Sequence, residues 1–269
     1  MSGTPSKIGA RLREWRRRRR FSQLDLACEA EVSTRHLSFV ETGRSAPSRE
    51  MVLRLAGALE IPLRERNALL LAAGFAPVFE ERSLADHDLA AARSMVDLIL
   101  ARHDPYPALA VDRHWNLLSA NGAAQALIGS VDAALLTPPV NVLRLSLHPE
   151  GLGGRIVNFA EWRGHLLDRL RRQASASGDP VLADLLAELS AYPGPRAPPP
   201  APAEPAIAAP LKLRTEAGVL SLVSFTTVFG APLDITLAEL ALESFFPADA
   251  ITGEVLRALA AKRGARDAA

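Results

Sequence analysis

Five consecutive arginines, Arg16 to Arg20, lie just ahead of residues 22 to 43, SQLDLACEAEVSTRHLSFVETG. Guanidinium groups attract phosphate oxygens by charge and by paired hydrogen bonds. The stretch behind them reads as a short helix, a tight turn and a second short helix. That arrangement sets the end of a helix into the major groove of DNA. The chemistry on offer is therefore recognition of a duplex. No set of residues suggests catalysis or metal binding. His103, His114 and His165 are dispersed, and His148-Pro149-Glu150 reads as a loop cap without a second His, Asp or Glu cluster at ligand spacing. GLGGR at 151–155 is too short to cradle a phosphate, and no strand leads into it. No G-x-S-x-G elbow occurs. Cys28 is the single cysteine, so neither an internal disulfide nor zinc-ligand spacing exists. The expectation is a protein that is no enzyme and carries no metal or cofactor.

The elements that must hold those residues are legible in outline. Ser22 is a good N-cap with Asp25 three residues on, a weaker form of the capping box, and Phe21 can act as a staple. Leu24, Ala27 and Cys28 recur at helical spacing and are expected to bury one face. Ser33 caps the next helix. There Leu37, Val40 and Glu41 fall on one side, and Thr34, Arg35, Ser38 and Phe39 on another. Ile8, Leu12 and Trp15 form the apolar stripe of a preceding helix. After the pair, Ser48 caps a helix burying Met51, Val52, Leu55, Ala56 and Leu59. A fifth, Leu63 to Ala73, is bounded by Pro62 and Gly74.

Five short helices with S-Q-x-x-L-A, then V-S, then L-S-x-V-E-x-G-R resemble the xenobiotic-response-element repressor family over about residues 6 to 75. Glu31 stands where that family usually has a turn glycine. The resemblance implies roles. Gln23 would bond a backbone phosphate, and Thr34, Arg35, Ser38 and Phe39 would face base edges. Arg44 and Ser48 would reach phosphates, and Arg16 and Glu41 would form an internal ion pair. A bidentate arginine–guanine contact would discriminate by about 1–3 kcal/mol.

At 269 residues and 48% apolar content, the chain is long enough for two cores. The net charge of +1 hides an asymmetry: residues 1–82 sum to +5 and residues 83–269 to −4. The basic part suits nucleic acid, and the acidic part does not. No apolar run is long enough for a membrane span and no leader stands at the start, so a cytoplasmic protein without membrane contact is expected.

The second domain, 83–269, opens with a helix from Leu89 to Arg102 that groups Met95, Leu98, Ile99, Ala91 and Ala92 on a face. ALAVD (108–112) and NLLSAN (116–121) read as strands joined at Arg113-His114. Asn121 caps a further helix, and Phe159–Arg172 and Pro180–Ala191 are amphipathic. Residues 193–210 are a proline-rich loop. LKLRT and VLSLVSFTTVF form a hairpin, and ITLAELALESFFP supplies a last strand and turn before a C-terminal helix from Thr252. The pattern predicts a five-stranded antiparallel sheet with helices across one face. The fold expected overall is two domains: an all-α five-helix repressor-like DNA-binding domain over 1–82, then an α/β domain.

VDRHWNLLSAN (111–121), NVLRLSLHPEGL (141–152) and DITLAELALESFFPAD (234–249) resemble the MmyB-like regulators, which join a repressor-type DNA-binding domain to a PAS-like ligand-binding domain. The proline-rich 193–210 segment departs from that pattern. The resemblance implies a homodimer on double-stranded DNA, responsive to a lipophilic, fatty-acyl-type effector. Trp115, Leu117, Phe159, Trp162, Phe225 and Phe229 are the pocket candidates. The competing reading is that these aromatics fill a core, and that the second domain only dimerises or docks a partner protein.

Overall fold

The computed structural model describes residues 7–129, 131–194 and 209–267. The chain divides into two compact units. One holds residues up to 82 with 173–178 and 232–238; the other holds 83–172, 179–231 and 239 onward.

The first unit is built on α1 (Lys7–Arg18), α2 (Gln23–Glu29), α3 (Thr34–Thr42), α4 (Arg49–Ala58) and α5 (Leu63–Ala72). Side-chain caps start three of them. Ser22, Ser33 and Ser48 each accept from the backbone N–H three residues on, and Asp25 returns a bond to Ser22 N, completing a capping box. Leu12, Leu26, Leu37, Val40, Val52, Leu55 and Leu70 make one buried cluster. Gly9 permits the close crossing of α1 over α3, since a Cβ there would lie 2.4 Å from Val40 O. The inward face of α2 differs from the expected one. Leu26, Ala27 and Ala30 are buried, whereas Leu24 and Cys28 are exposed. A helix of seven residues offers apolar side chains on more than one side, and only the position of the neighbouring helices selects among them.

Glu31 has φ 52°, a left-handed conformation, at the position where glycine is usual. A side chain there costs about 1–2 kcal/mol, partly offset because glycine loses more freedom on folding. Glu31→Gly is therefore expected to stabilise the first unit by about 0.5–1 kcal/mol. Urea unfolding would read this directly, and a loss of stability would show that the Glu31 side chain contributes more than its backbone strain.

The second unit contains α6 (Ala90–His103), β1 (Ala108–Val111), β2 (Leu117–Ala120), α7 (Gly122–Ile128), α8 (Val142–Leu147) and α9 (Phe159–Ser177, whose last turn clusters with the first unit). They are followed by α10 (Pro180–Ala191), β3 (Leu211–Thr215) and β4 (Gly218–Val228). After the short α11 (Ile235–Ala238) come β5 (Ala241–Pro247) and α12 (Ala250–Asp267). The strands form one antiparallel sheet in the order β2-β1-β5-β4-β3. The expected last strand is shorter than read, because Ile235–Ala238 is helical. Most of the proline-rich stretch lies outside the described residues.

Helices cover both faces of the sheet, not one. On β1, Leu109 points to the α7–α9 side, while Ala108 and Ala110 point to α6 and cluster with Val96, Leu100 and Leu242. Small alanines on that side let α6 lie close. Within α6 the buried residues are Val96 and Leu100. Met95, Leu98 and Ile99, expected to share the helix's apolar face, are exposed.

Candidate nucleic-acid interface and ligand cavity

In the first unit, the central feature is a buried carboxylate. Glu41, with no exposed side-chain surface, lies on the inner side of α3. Arg16 reaches it from α1 by two bonds, Nε to Oε1 at 2.6 Å and Nη2 to Oε2 at 3.0 Å. Gln23 Nε2 donates to Oε2 at 2.8 Å from α2, and Arg13 Nε donates from 3.4 Å. Burial pushes the Glu41 pKa up, but the hydrogen bonds from Arg16, Gln23 and Arg13 and the Arg16 charge outweigh it, holding the carboxyl below its ordinary range. The cluster ties α1 and α2 to α3, fixing how α3 is presented.

The opposite side of α3 carries the predicted reading set. Arg35 is exposed, and Thr34, Ser38 and Phe39 are half-buried. Phe39 lies between two cations: the Arg35 guanidinium is 5.4 Å from its ring centre and the Arg44 guanidinium 5.8 Å. Gly43, at φ 76°, ends the helix in a left-handed turn, and Arg44 N then bonds back to Phe39 O at 2.8 Å. That turn brings Arg44 alongside Phe39. A role for Phe39 as the support of both arginines was not read from the sequence; the i, i+4 spacing of Arg35 and Phe39 was the available signal. Ser48 Oγ is at the exposed N-cap of α4, accepting from Met51 N. Gln23 sits at the start of α2 with its amide nitrogen engaged by Glu41.

The arginine run divides. Arg16 serves Glu41, Arg18 bonds Glu14 and stacks on Trp15, and Arg19 donates to the carbonyls of Leu59 and Glu60 after α4. Arg17 and Arg20 are exposed. Two members of the run, Arg16 and Arg19, thus brace α1 against other elements, while Arg18 is engaged within its own helix.

In the second unit, a cavity of about 90 Å³, counted as space open to the centres of water-sized molecules, lies between the sheet and α7, α8 and α9. That exceeds several-fold the ~10–15 Å³ one water needs. Leu109 on β1, Leu213 on β3, Leu222 on β4 and Phe245 on β5 form its floor; Ala124, Leu145, Trp162 and Leu166 face them. Ser146, Ser224, Arg169 and Glu243 are the polar lining. Ser146 Oγ accepts the Trp162 indole N–H at 2.9 Å.

Arg169 and Glu243 make a bidentate pair, Nη2 to Oε1 at 2.6 Å and Nη1 to Oε2 at 3.0 Å. Thr226 Oγ1 accepts from Arg169 at 2.7 Å and donates to Glu243 at 3.0 Å. The guanidinium also lies 4.4 Å from the Trp115 ring centre. Trp115 is held at φ 68° by the turn in which His114 N and Asn116 N donate to Asp112 Oδ1. A bulky residue at positive φ is strained backbone, and such strain concentrates at functional sites. The cavity is thus an apolar chamber with one charged, internally neutralised wall.

Of the pocket candidates, Trp115 and Trp162 line this cavity. Leu117, Phe159, Phe225 and Phe229 lie outside it. Phe225 is 56% exposed on the other face of β4, edge-on to Phe246, because strand side chains alternate and its neighbours Ser224 and Thr226 take the inner face. Phe229 packs on the α6 cluster. Phe159 is buried at the start of α9, and Leu117 is half-buried on the edge strand β2. The GLGGR stretch forms a 3-10 turn against α8, with Leu152 N bonded to Leu145 O. His148 Nδ1 accepts from Glu150 N, a loop cap. Among the described residues, no group of three or more His, Cys, Asp or Glu is placed to hold a metal, and no helix is long and apolar enough to cross a membrane.

Comparison with known proteins agrees with this layout. A family model described as a helix-turn-helix domain matches residues 7–69. No curated protein matches the chain. Among solved structures, "Structure of an RNA-binding Light-Oxygen-Voltage Receptor" is similar at 14% identity and a TM-score of 0.28, over 97% of this chain and 64% of that one. This chain thus spans less than two thirds of that protein's length, and a likeness so slight carries no argument. A family model described as "MmyB-like transcription regulator ligand binding domain" matches residues 92–259, more than half the chain. With a helix-turn-helix domain ahead of that match, the protein belongs to the MmyB-like transcription regulators.

Proposed function

We propose that this DNA-binding transcription regulator works as a cytoplasmic homodimer whose second unit takes a small lipophilic effector. The observation that carries the effector is the cavity, walled by leucine, tryptophan and phenylalanine with its one charge pair already matched. Such a chamber favours an apolar molecule, since hydrocarbon displaces poorly bonded water there. A fatty-acyl chain is one molecule of that class. Native mass spectrometry of protein purified from cells tests this reading: a co-purified small molecule supports it. A clean apo mass, together with no binding of added alkyl or acyl ligands, favours a second unit that only dimerises or docks a protein.

On the duplex, α3 lies in the major groove with Thr34, Arg35, Ser38 and Phe39 toward base edges, while Gln23, Arg44 and Ser48 meet the backbone. A two-fold dimer brings the two α3 helices to half-sites about one helical turn apart, ~34–36 Å. Arg35 is the exposed member with the widest hydrogen-bonding fork. Arg35→Ala is expected to weaken specific binding by about 1–3 kcal/mol and non-specific binding much less. Equal losses would reduce Arg35 to a phosphate contact. Arg44→Ala is expected to reduce the slope of log K against log salt by about one. An unchanged slope would remove Arg44 from the interface.

A further inference from the structure

Helix α6 has two apolar sides where a helix resting on a sheet needs one. Val96 and Leu100 are buried against Ala108, Ala110 and Leu242. Met95, Leu98 and Ile99 are 56%, 55% and 41% exposed. With 3.6 residues per turn, these three share one flank with Ala91 and Arg102, while Arg93, Ser94 and Asp97 occupy the other. An unpaired helix would be polar on both flanks. Single exposed apolar residues need no account, but a continuous strip at i, i+3 and i+4 does. The apolar surface also continues past the end of the helix: the His103 ring lies 4.7 Å from Phe246, and Phe246 lies 5.4 Å from Phe225. Phe246 and Phe225 are 41% and 56% exposed.

We propose that this flank is the two-fold seam of the homodimer, with α6 packed antiparallel on α6 of a second copy. The inference rests on the dimer reading above and assigns its interface. Self-complementarity is what points to a second copy. Bulk and charge along the strip are arranged in opposite senses about Met95. Small residues, Ala91 and Ala92, precede it, and large ones, Leu98 and Ile99, follow it. Acidic residues, Asp86 and Asp88, stand before the helix, and Arg102 stands in its last turn. Antiparallel pairing with Met95 on the axis sets Ile99 and Leu98 of one copy over Ala91 and Ala92 of the other. The same register brings Arg102 to Asp88 at each end. A parallel pairing would instead set acid against acid and base against base. Alanines opposite leucine and isoleucine permit the 8–10 Å spacing of packed helices, and methionine adapts to a site facing itself. A lone helix pair buries less than the ~1,200–2,000 Å² of a stable interface, and Phe225 and Phe246 supply further apolar area beside it.

Cross-linking and sedimentation on the full chain decide the matter. In a Cys28→Ser background, Met95→Cys on the axis is expected to oxidise to a disulfide-linked dimer. Leu98→Cys alone is not, but it should cross-link to Ala92→Cys supplied on a second copy. Leu98→Glu with Ile99→Glu is expected to weaken dimerisation by at least ~30-fold while the circular dichroism spectrum at 25 °C stays unchanged. If the parent chain sediments as a monomer, the dimer reading itself fails and the seam with it. If the parent is a dimer but Met95→Cys does not cross-link and the double glutamate variant stays dimeric, the seam alone is wrong.

Discussion

Glu41→Ala is expected to destabilise the first unit by about 3–5 kcal/mol, the range found when one partner of a buried charge pair is removed. Three side chains converge on this carboxylate. Arg16 would keep only its bond to Phe21 O, and its charge would stay at the junction of α1 and α3. Since a domain of this size commonly has only 5–15 kcal/mol in hand, much of its margin would go. Hydrogen exchange of the α3 amides should show protection lost throughout that helix, and specific DNA binding should fall with it. Protection unchanged within 1 kcal/mol would mean the cluster is dispensable.

The same carboxylate sets a pH dependence. Its folded-state pKa is lowered, so its contribution is fully present above the unfolded value of about 4.3 and is lost as pH falls through the folded value. Glu41→Gln should therefore flatten the acid limb of the first unit's stability curve. An acid limb of unchanged steepness would assign that proton to another group.

Arg169→Leu is the second large effect. It leaves Glu243, 5% exposed, charged against an apolar cavity with only Thr226 as a donor, and should cost the second unit about 3–5 kcal/mol. Leucine at both positions is expected to recover most of that loss, to within about 1 kcal/mol of the parent or better, because desolvating the pair offsets much of its attraction. Urea unfolding of the two single variants and the double closes the cycle. If the double is as unstable as the singles, the pair is a net source of stability that its desolvation does not offset. The cavity itself should tolerate the double change, since Trp115 and the sheet floor do not depend on the charge.

Elements were more legible than environments. The capping serines at 22, 33 and 48 act through neighbours three residues away, so their effect is written locally. The same holds for Asn121, which caps α7 through Ala124 N. Sides were harder to read. In α2 and α6 the sequence offers apolar residues on more than one side, and local periodicity selected Leu24 and Cys28, or Met95, Leu98 and Ile99, where packing selected Leu26 and Ala30, or Val96 and Leu100. In β4 a run of apolar and hydroxyl residues hides the alternation, so Phe225 suggested the pocket while Ser224 and Thr226 occupy the inner face. The arginine run was similarly opaque: its members are identical in type, and partners as distant as Glu41 and Leu59 separate a brace from a free charge.

By itself, then, the sequence determined the two-part order, the five helices with three of their caps, and the antiparallel strands, which follow from short-range hydrogen bonding, periodicity and motif spacing. The inner Arg16–Glu41 pair was legible only through the resemblance to the repressor family. Only the tertiary structure decided which arginines are spent on holding helices, that Phe39 supports Arg35 and Arg44, and that Arg169 and Glu243 pair in the wall of a cavity beside Trp115. Those outcomes depend on residues far apart in the chain being brought within a few ångströms, where packing, and not local preference, selects the partner.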